Sequence, residues 1–173
     1  VIFAIRKNIL VYPIGIVSTT IYTYLLYRWT LYGEMLINGY YTLMSIYGWL
    51  RWYRLGVEKS NDTPNNYSQL SIKKIFAFTL ICFIAVLSIY IYRFGTWTEI
   101  PYTNYMDSMA SASFLVAMYL MARMDIRNWH FWIFGNALSI PLFLIKGYGI
   151  TSIQYVVFLA LAIQGLYTWH QKK

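Results

Sequence analysis

IFAFTLICFIAVLSIYIY, residues Ile75–Tyr92, is an 18-residue run without a charge. A helix over it reaches about 27 Å, close to the roughly 30 Å hydrocarbon thickness of a bilayer. Five further runs of similar length surround it: Ile9–Tyr27, Tyr32–Leu50, Pro101–Ala122, Trp129–Ile145 and Tyr148–Trp169. Glu34 lies near the start of the second and Asp107 within the fourth of the six in chain order. The connections are short except for the polar, turn-rich stretch from Arg54 to Lys74, which reads as a water-exposed loop. The chain is 59% hydrophobic and only 12% charged, too little charge to cover a soluble domain of 173 residues. The expectation is an all-α membrane protein, a polytopic helix bundle.

The basic residues set its orientation. Arg6, Lys7, Arg51, Arg54, Lys59, Lys73, Lys74, Arg123, Arg127, Lys172 and Lys173 fall on the side of the N-terminus, and Arg28, Arg93 and Lys146 on the other. By the positive-inside rule the first side, and with it the C-terminus, is cytoplasmic. The same distribution accounts for the net charge of +8 without nucleic acid, because the charges sit in short loops between apolar runs. The aromatic content of 20% suits belts at the two bilayer faces and a lined site between helices. Cys82, the single cysteine, lies inside an apolar run and can form no intrachain disulfide.

Two stretches resemble each other. ARMDIRNWHFWIFGNALS from Ala122 can be laid on FAIRKNILVYPIGIVST from Phe3 at an offset of 120, pairing Asn8 with Asn128, Tyr12 with Trp132 and Gly15 with Gly135. QGLYTW from Gln164 matches YGWLRW from Tyr47 at an offset of 117, pairing Gly48 with Gly165 and Trp52 with Trp169. Both copies start on the same side, so the repeats are parallel. The organisation expected is 1–54 as the last two helices of repeat 1, 55–74 as a cytoplasmic loop, 75–93 as a linker helix, and 100–173 as the three helices and basic tail of repeat 2. A counterpart of the Pro101–Ala122 helix would precede Val1, making the full pattern three helices, one linker and three helices.

Asn128-Trp129-x-x-Trp132-x-x-x-Asn136, LYGEMLIN followed by YGWLRW, and a terminal GLYTW with a basic tail together resemble the PnuC family of vitamin transporters. The resemblance extends from Arg6 to Lys173. It implies a 3+1+3 arrangement similar to SWEET transporters with its own topology. It also implies facilitated uptake of nicotinamide riboside, a precursor in NAD biosynthesis, across the bacterial inner membrane. A cytoplasmic kinase would draw uptake inward by phosphorylating the riboside. No cofactor is implied, and a homo-oligomer is compatible with the pattern. One departure is Asn38, where many members carry Gln.

Nicotinamide riboside is a flat cationic pyridinium with a carboxamide and a sugar. It calls for aromatic faces, an amide partner and further polar groups. Trp129, Trp132 and Asn136 are spaced i, i+3, i+7 and share a helix face. Each has a structural alternative: Trp129 as a belt residue, Asn136 as an interhelical hydrogen-bonding group. Gln154 and Tyr155 in the last run, with Asn38 and Tyr41 in the second, are candidate contacts to the ribose or carboxamide. Thr19 and Ser18 in the first run are within reach too, although membrane hydroxyls often bond their own backbone. Asp107 is a candidate counter-charge, and the small residues from Asp107 to Ser113 form a helix-packing face. Pro13, Gly15, Gly135 and Pro141 are candidate hinges.

His130 and His170 have no partners at metal-ligand spacing, and neither a nucleophile motif nor a phosphate-cradling glycine loop is present. A transporter is therefore expected rather than an enzyme. Two alternatives share the architecture: the membrane-embedded binding subunit of an ATP-driven vitamin importer, and a transporter for riboflavin or thiamine.

Overall fold

The computed structural model describes residues 1–29, 32–55 and 70–171, with the backbone alone for 32–34. Most of the expected loop before Lys74 lies outside the described residues, as do Lys59, Lys172, Lys173 and the Glu34 side chain. The described residues form helices and no strand. The elements are α1 (Ile2–Ile5), α2 (Val11–Arg28), α3 (Tyr32–Arg54), α4 (Ile72–Phe94), a single 3₁₀ turn (Trp97–Glu99), α5 (Tyr102–Ala122), α6 (Asn128–Ile145) and α7 (Gly149–Gln171). The last six α-helices coincide with the six apolar runs, with ends shifted by a few residues. The α1 turn and the 3₁₀ turn were not anticipated.

Helix ends follow local chemistry. Gly95 (φ 84°) stops α4, its N–H donating to the Ile91 carbonyl at 2.8 Å. Pro101 stands immediately before α5, where its missing N–H costs nothing. Among the described residues, α4 and α7 are each long and apolar enough to cross a membrane. The outer face of α4 exposes Ile72, Phe76, Leu80, Ile81 and Ile84, an arrangement suited to lipid rather than water.

The bundle is built around α5, which packs on α3, α4 and α6, while α2 pairs with α3 and α6 with α7. Ser108, Ala110, Ala112, Ser113, Val116 and Ala117 of α5 are all buried. These short side chains let neighbouring backbones approach closely, as the small-residue stretch implied.

The two halves are built alike at a constant separation of 117 residues. α2 and α6 are both 18 residues long and α3 and α7 both 23, and each pair starts 117 positions apart. The turns that lead into them match in detail. Lys7 (φ 55°) and Met124 (φ 58°) are the two non-glycine residues of the described chain with positive φ. The following residue closes the same bond in each, Asn8 N–H to Phe3 O at 2.9 Å and Asp125 N–H to Leu120 O at 3.0 Å. This is a Schellman ending. Asn8 and Asp125 then accept from the backbone N–H two residues on, at 2.9 and 3.0 Å.

The repeats also exchange equivalent bonds. The Trp52 indole N–H donates to the Met121 carbonyl at 3.3 Å, and the Trp169 indole N–H to the Ala4 carbonyl at 3.1 Å. Trp169 lies 117 after Trp52 and Met121 117 after Ala4, so the two bonds are related by an internal pseudo-two-fold axis. Tyr12 meets Trp52 edge-on at 5.0 Å and 85°, and Trp129 meets Trp169 at 5.7 Å and 82°. Trp52 and Trp169 face each other across the axis at 6.5 Å.

This register corrects the offset of 120. The partner of Tyr12 is Trp129, not Trp132, and that of Asn8 is Asp125, not Asn128. Matching identical letters misled because equivalent positions hold unlike residues with the same backbone task.

Arg127 fastens the start of α4 to this frame. Its guanidinium pairs with the buried Asp125 carboxylate and donates to the Leu70 carbonyl at 2.8 Å. Arg127→Gln is expected to lower stability by about 1.5–3 kcal/mol, because a buried carboxylate loses its partner. Thermal unfolding in detergent measures it, and an unchanged midpoint would show that Asp125 finds another donor.

Candidate functional site

The α6 stripe of Trp129, Trp132 and Asn136 turns inward, with Ser139 one turn further on. Trp129 is 1% exposed and Asn136 3%. Asn136 Nδ2 donates to the Trp132 carbonyl at 2.8 Å and Ser139 Oγ to the Gly135 carbonyl at 2.9 Å, each bonding its own helix four residues back. An amide has a second N–H and a carbonyl oxygen besides.

Trp132 begins a file of four neighbouring rings, the last three of them stacked. Phe114 of α5 lies against it at 5.5 Å and 32°, Tyr155 of α7 on Phe114 at 6.2 Å and 8°, and Phe143 of α6 on Tyr155 at 5.1 Å and 19°. Phe158 adds an edge contact to Tyr155 at 6.3 Å. From Trp132 to Phe143 the file follows α6 for about 16 Å. Gly135 admits Phe114: a Cβ there would come within 2.4 Å of the ring.

Repeat 1 brings hydroxyls and an amide. Thr19 donates to the Gly15 carbonyl at 2.8 Å, and Thr42 donates to the Thr19 hydroxyl at 2.8 Å, joining α2 to α3. Asn38 and Tyr41 are half-buried on α3. Tyr40 ties α3 to α5 through the Leu115 carbonyl at 3.0 Å. Under the 117-residue relation Thr19 corresponds to Asn136, Asn38 to Tyr155 and Tyr41 to Phe158. The polar and aromatic candidates thus occupy equivalent places in the two halves.

Two candidates stand apart from the file. Trp129 is committed to packing: its ring lies over Gly165, where a Cβ would approach within 2.5 Å, and against Trp169. Gln154 is exposed on α7 beside Ile150 and Val157, which are 87% and 52% exposed, rather than turned towards Tyr155's neighbours. One residue of rotation separates the two faces, about 100° on a helix. Ser18 is exposed as well.

Phe114, Phe143, Ser139 and Thr42 escaped the sequence reading. No local pattern distinguishes a phenylalanine that lines a site from one that faces lipid. Asp107 is held near the N-terminal end of α5, accepting from the Tyr90 hydroxyl at 2.7 Å and pairing with Lys146 at 3.2 Å. His130 and His170 are exposed, and the described residues contain no cluster able to hold a metal ion.

Residues 1–171 match the family model described as nicotinamide mononucleotide transporter. The nicotinamide riboside transporter PnuC of Escherichia coli is 22% identical over 185 residues, covering 91% of this chain and 74% of the relative. The riboflavin/roseoflavin transporter RibM of Streptomyces davaonensis is 23% identical over 126 residues, covering 73% and 58%. A crystal structure of the vitamin B3 transporter PnuC superimposes with a TM-score of 0.63 at 23% identity, covering 98% of this chain and 75% of that one. With its helices, its paired halves and a family match along nearly its whole length, the chain belongs to the nicotinamide mononucleotide transporter family and is a multi-pass membrane transporter, not an enzyme.

Proposed function

We propose that this protein carries nicotinamide riboside across a bacterial inner membrane by facilitated diffusion. The observation that carries the reading is the file of rings beginning at Trp132 with a buried amide, Asn136, one turn away. A pyridinium gains about 0.5–2 kcal/mol over an aromatic face, and a carboxamide pairs with a side-chain amide through both its donor and its acceptor. Relatives that carry the name of nicotinamide riboside transporter support the same cargo. In this reading Trp132, Asn136 and Tyr155 receive the nicotinamide, and Thr19, Asn38 and Tyr41 of the other repeat meet the ribose. Trp129 supports them from the packed end, and Gln154 contributes only when α7 turns.

The architecture in this proposal is 3+1+3. Residues 1–54 and 100–173 are parallel repeats, α1 answers the last turn of α5, and residues 75–93 link them. The excess of basic residues on one side supports a cytoplasmic C-terminus. Rocking of one repeat against the other exposes the covered amide to each side in turn. A cytoplasmic kinase then traps the riboside by phosphorylation.

A second reading, riboflavin as cargo, is favoured by the match to RibM. Purified protein in ATP-free liposomes separates the readings. Labelled nicotinamide riboside is expected to equilibrate without ATP, and to accumulate when a riboside kinase and ATP are enclosed. Preferential equilibration of riboflavin or thiamine would change the cargo. Uptake that depends on a copurifying ATPase, with no kinase present, would replace the mechanism with that of a binding subunit.

A further inference from the structure

We propose that Asp107 selects for a positively charged ring and that Lys146 is its built-in competitor, a tethered cation standing where the cargo's pyridinium passes. The proposal rests on the reading of the cargo as a pyridinium nucleoside.

The geometry points to this pair for three reasons. First, Asp107 Oδ2 receives Lys146 Nζ at 3.2 Å and the Tyr90 hydroxyl at 2.7 Å, so a helix-borne carboxylate is balanced by one flexible cation and one neutral donor. Second, the same ammonium lies 5.8 Å from the centre of the Phe143 ring. Phe143 is the outermost ring of the file that leads through Tyr155 and Phe114 to Trp132. Lys146 therefore occupies a spot defined by a carboxylate on one side and an aromatic face on the other, the two features a flat cation needs. Third, the side chains of Lys146 and Asp107 are 28% and 26% exposed, and Lys146 directly precedes Gly147 at φ 81°. A lysine head on a four-carbon stem at the end of a helix can leave its partner and enter water at little cost.

Among the described side chains, the groups bonded to Asp107 are Tyr90 of α4 and Lys146 at the end of α6. An arriving pyridinium takes over the carboxylate and the ring face while Lys146 withdraws, so the site never holds an unbalanced charge. A neutral ring of the same outline offers Asp107 nothing in exchange for Lys146. The pair thus turns charge, not shape, into selectivity at the outer mouth.

The test compares nicotinamide riboside with its dihydro form, which keeps the carboxamide and ribose but has an uncharged ring. Both are measured as initial uptake into ATP-free liposomes, with thermal unfolding of each variant as the folding control. Wild type is expected to favour the cation. Asp107→Asn is expected to raise the KM of the cation by about tenfold and leave that of the neutral form within about twofold. Lys146→Met is expected to lower the cation's KM several-fold, because the competitor is gone. Equal losses for both forms in Asp107→Asn, or no gain for the cation in Lys146→Met, would make the pair a structural strut and overturn the proposal. If Asp107→Asn fails to fold, Lys146→Met decides alone. Failure of wild type to move either form would overturn the cargo reading itself, a result distinct from both.

Discussion

Asn136→Ala is expected to lower uptake of nicotinamide riboside by about 5–150-fold while the protein folds and inserts normally. Two hydrogen bonds between amides contribute roughly 1–3 kcal/mol between them, and that range sets the factor. Folding should survive because the visible bond of Asn136 runs to the carbonyl of Trp132 in its own helix at 2.8 Å, where it joins no second helix. Alanine is also a better helix former than asparagine. Asn136→Gln separates position from chemistry: it keeps the amide but moves it by one methylene, and should recover part of the loss. Uptake by Asn136→Ala at the wild-type rate would remove this residue from the site. A variant that loses its thermal transition would show instead that the amide holds the bundle together.

Gly165→Ala should be among the most damaging single-methyl changes in the protein. A Cβ at Gly165 would meet three ring carbons of Trp129 at 2.5–2.6 Å, and one at Gly48 would meet Tyr12 at 2.2 Å. Neither ring can step back. Trp129 is 1% exposed and Tyr12 fully buried, and each is backed edge-on by the tryptophan that bonds across to the other repeat. Overpacking of this kind costs about 1–3 kcal/mol, and more where a ring cannot move. Gly39→Ala is the control, because nothing lies within 4 Å of a Cβ there. That change should be neutral or stabilising, since glycine is about 1 kcal/mol worse than alanine within a helix. Thermal unfolding of the two variants in detergent measures the contrast. Equal midpoints for Gly165→Ala and Gly39→Ala would mean that the axis is not tightly packed.

Much of the helix layout was legible because hydrophobic length is a one-dimensional property. A bilayer leaves the backbone few choices besides helix, and about 20 apolar residues in a row announce one. The packing role of the stretch from Asp107 to Ser113 was legible for the same reason: small side chains in an apolar helix mark where another helix comes close. The repeat was legible only in its paired glycines and tryptophans. Its first half was read three residues out of register, because Asn8 and Asn128 share a letter while Asn8 and Asp125 share a place. Residue identity says less about equivalence here than the left-handed turns at Lys7 and Met124 do.

For the site, the spacing of Trp132 and Asn136 on one helix could be read in advance, since it depends on the 3.6-residue period of a single element. Which side of α7 turns inward could not. Gln154 and Tyr155 are adjacent in the chain, and only contact with α5 and α6 puts the ring in the file and the amide on the exposed face. Phe114, Phe143 and the pairing of Lys146 with Asp107 join residues far apart in the chain, where no short-range pattern reaches. By itself the sequence determined where the helices run and which side bears the positive charge, because burial in lipid and the period of a helix act along the chain. The tertiary structure alone decided how the halves register, which rings stack and what balances Asp107, because side chains compete for contact in space and the outcome depends on neighbours the local sequence does not contain.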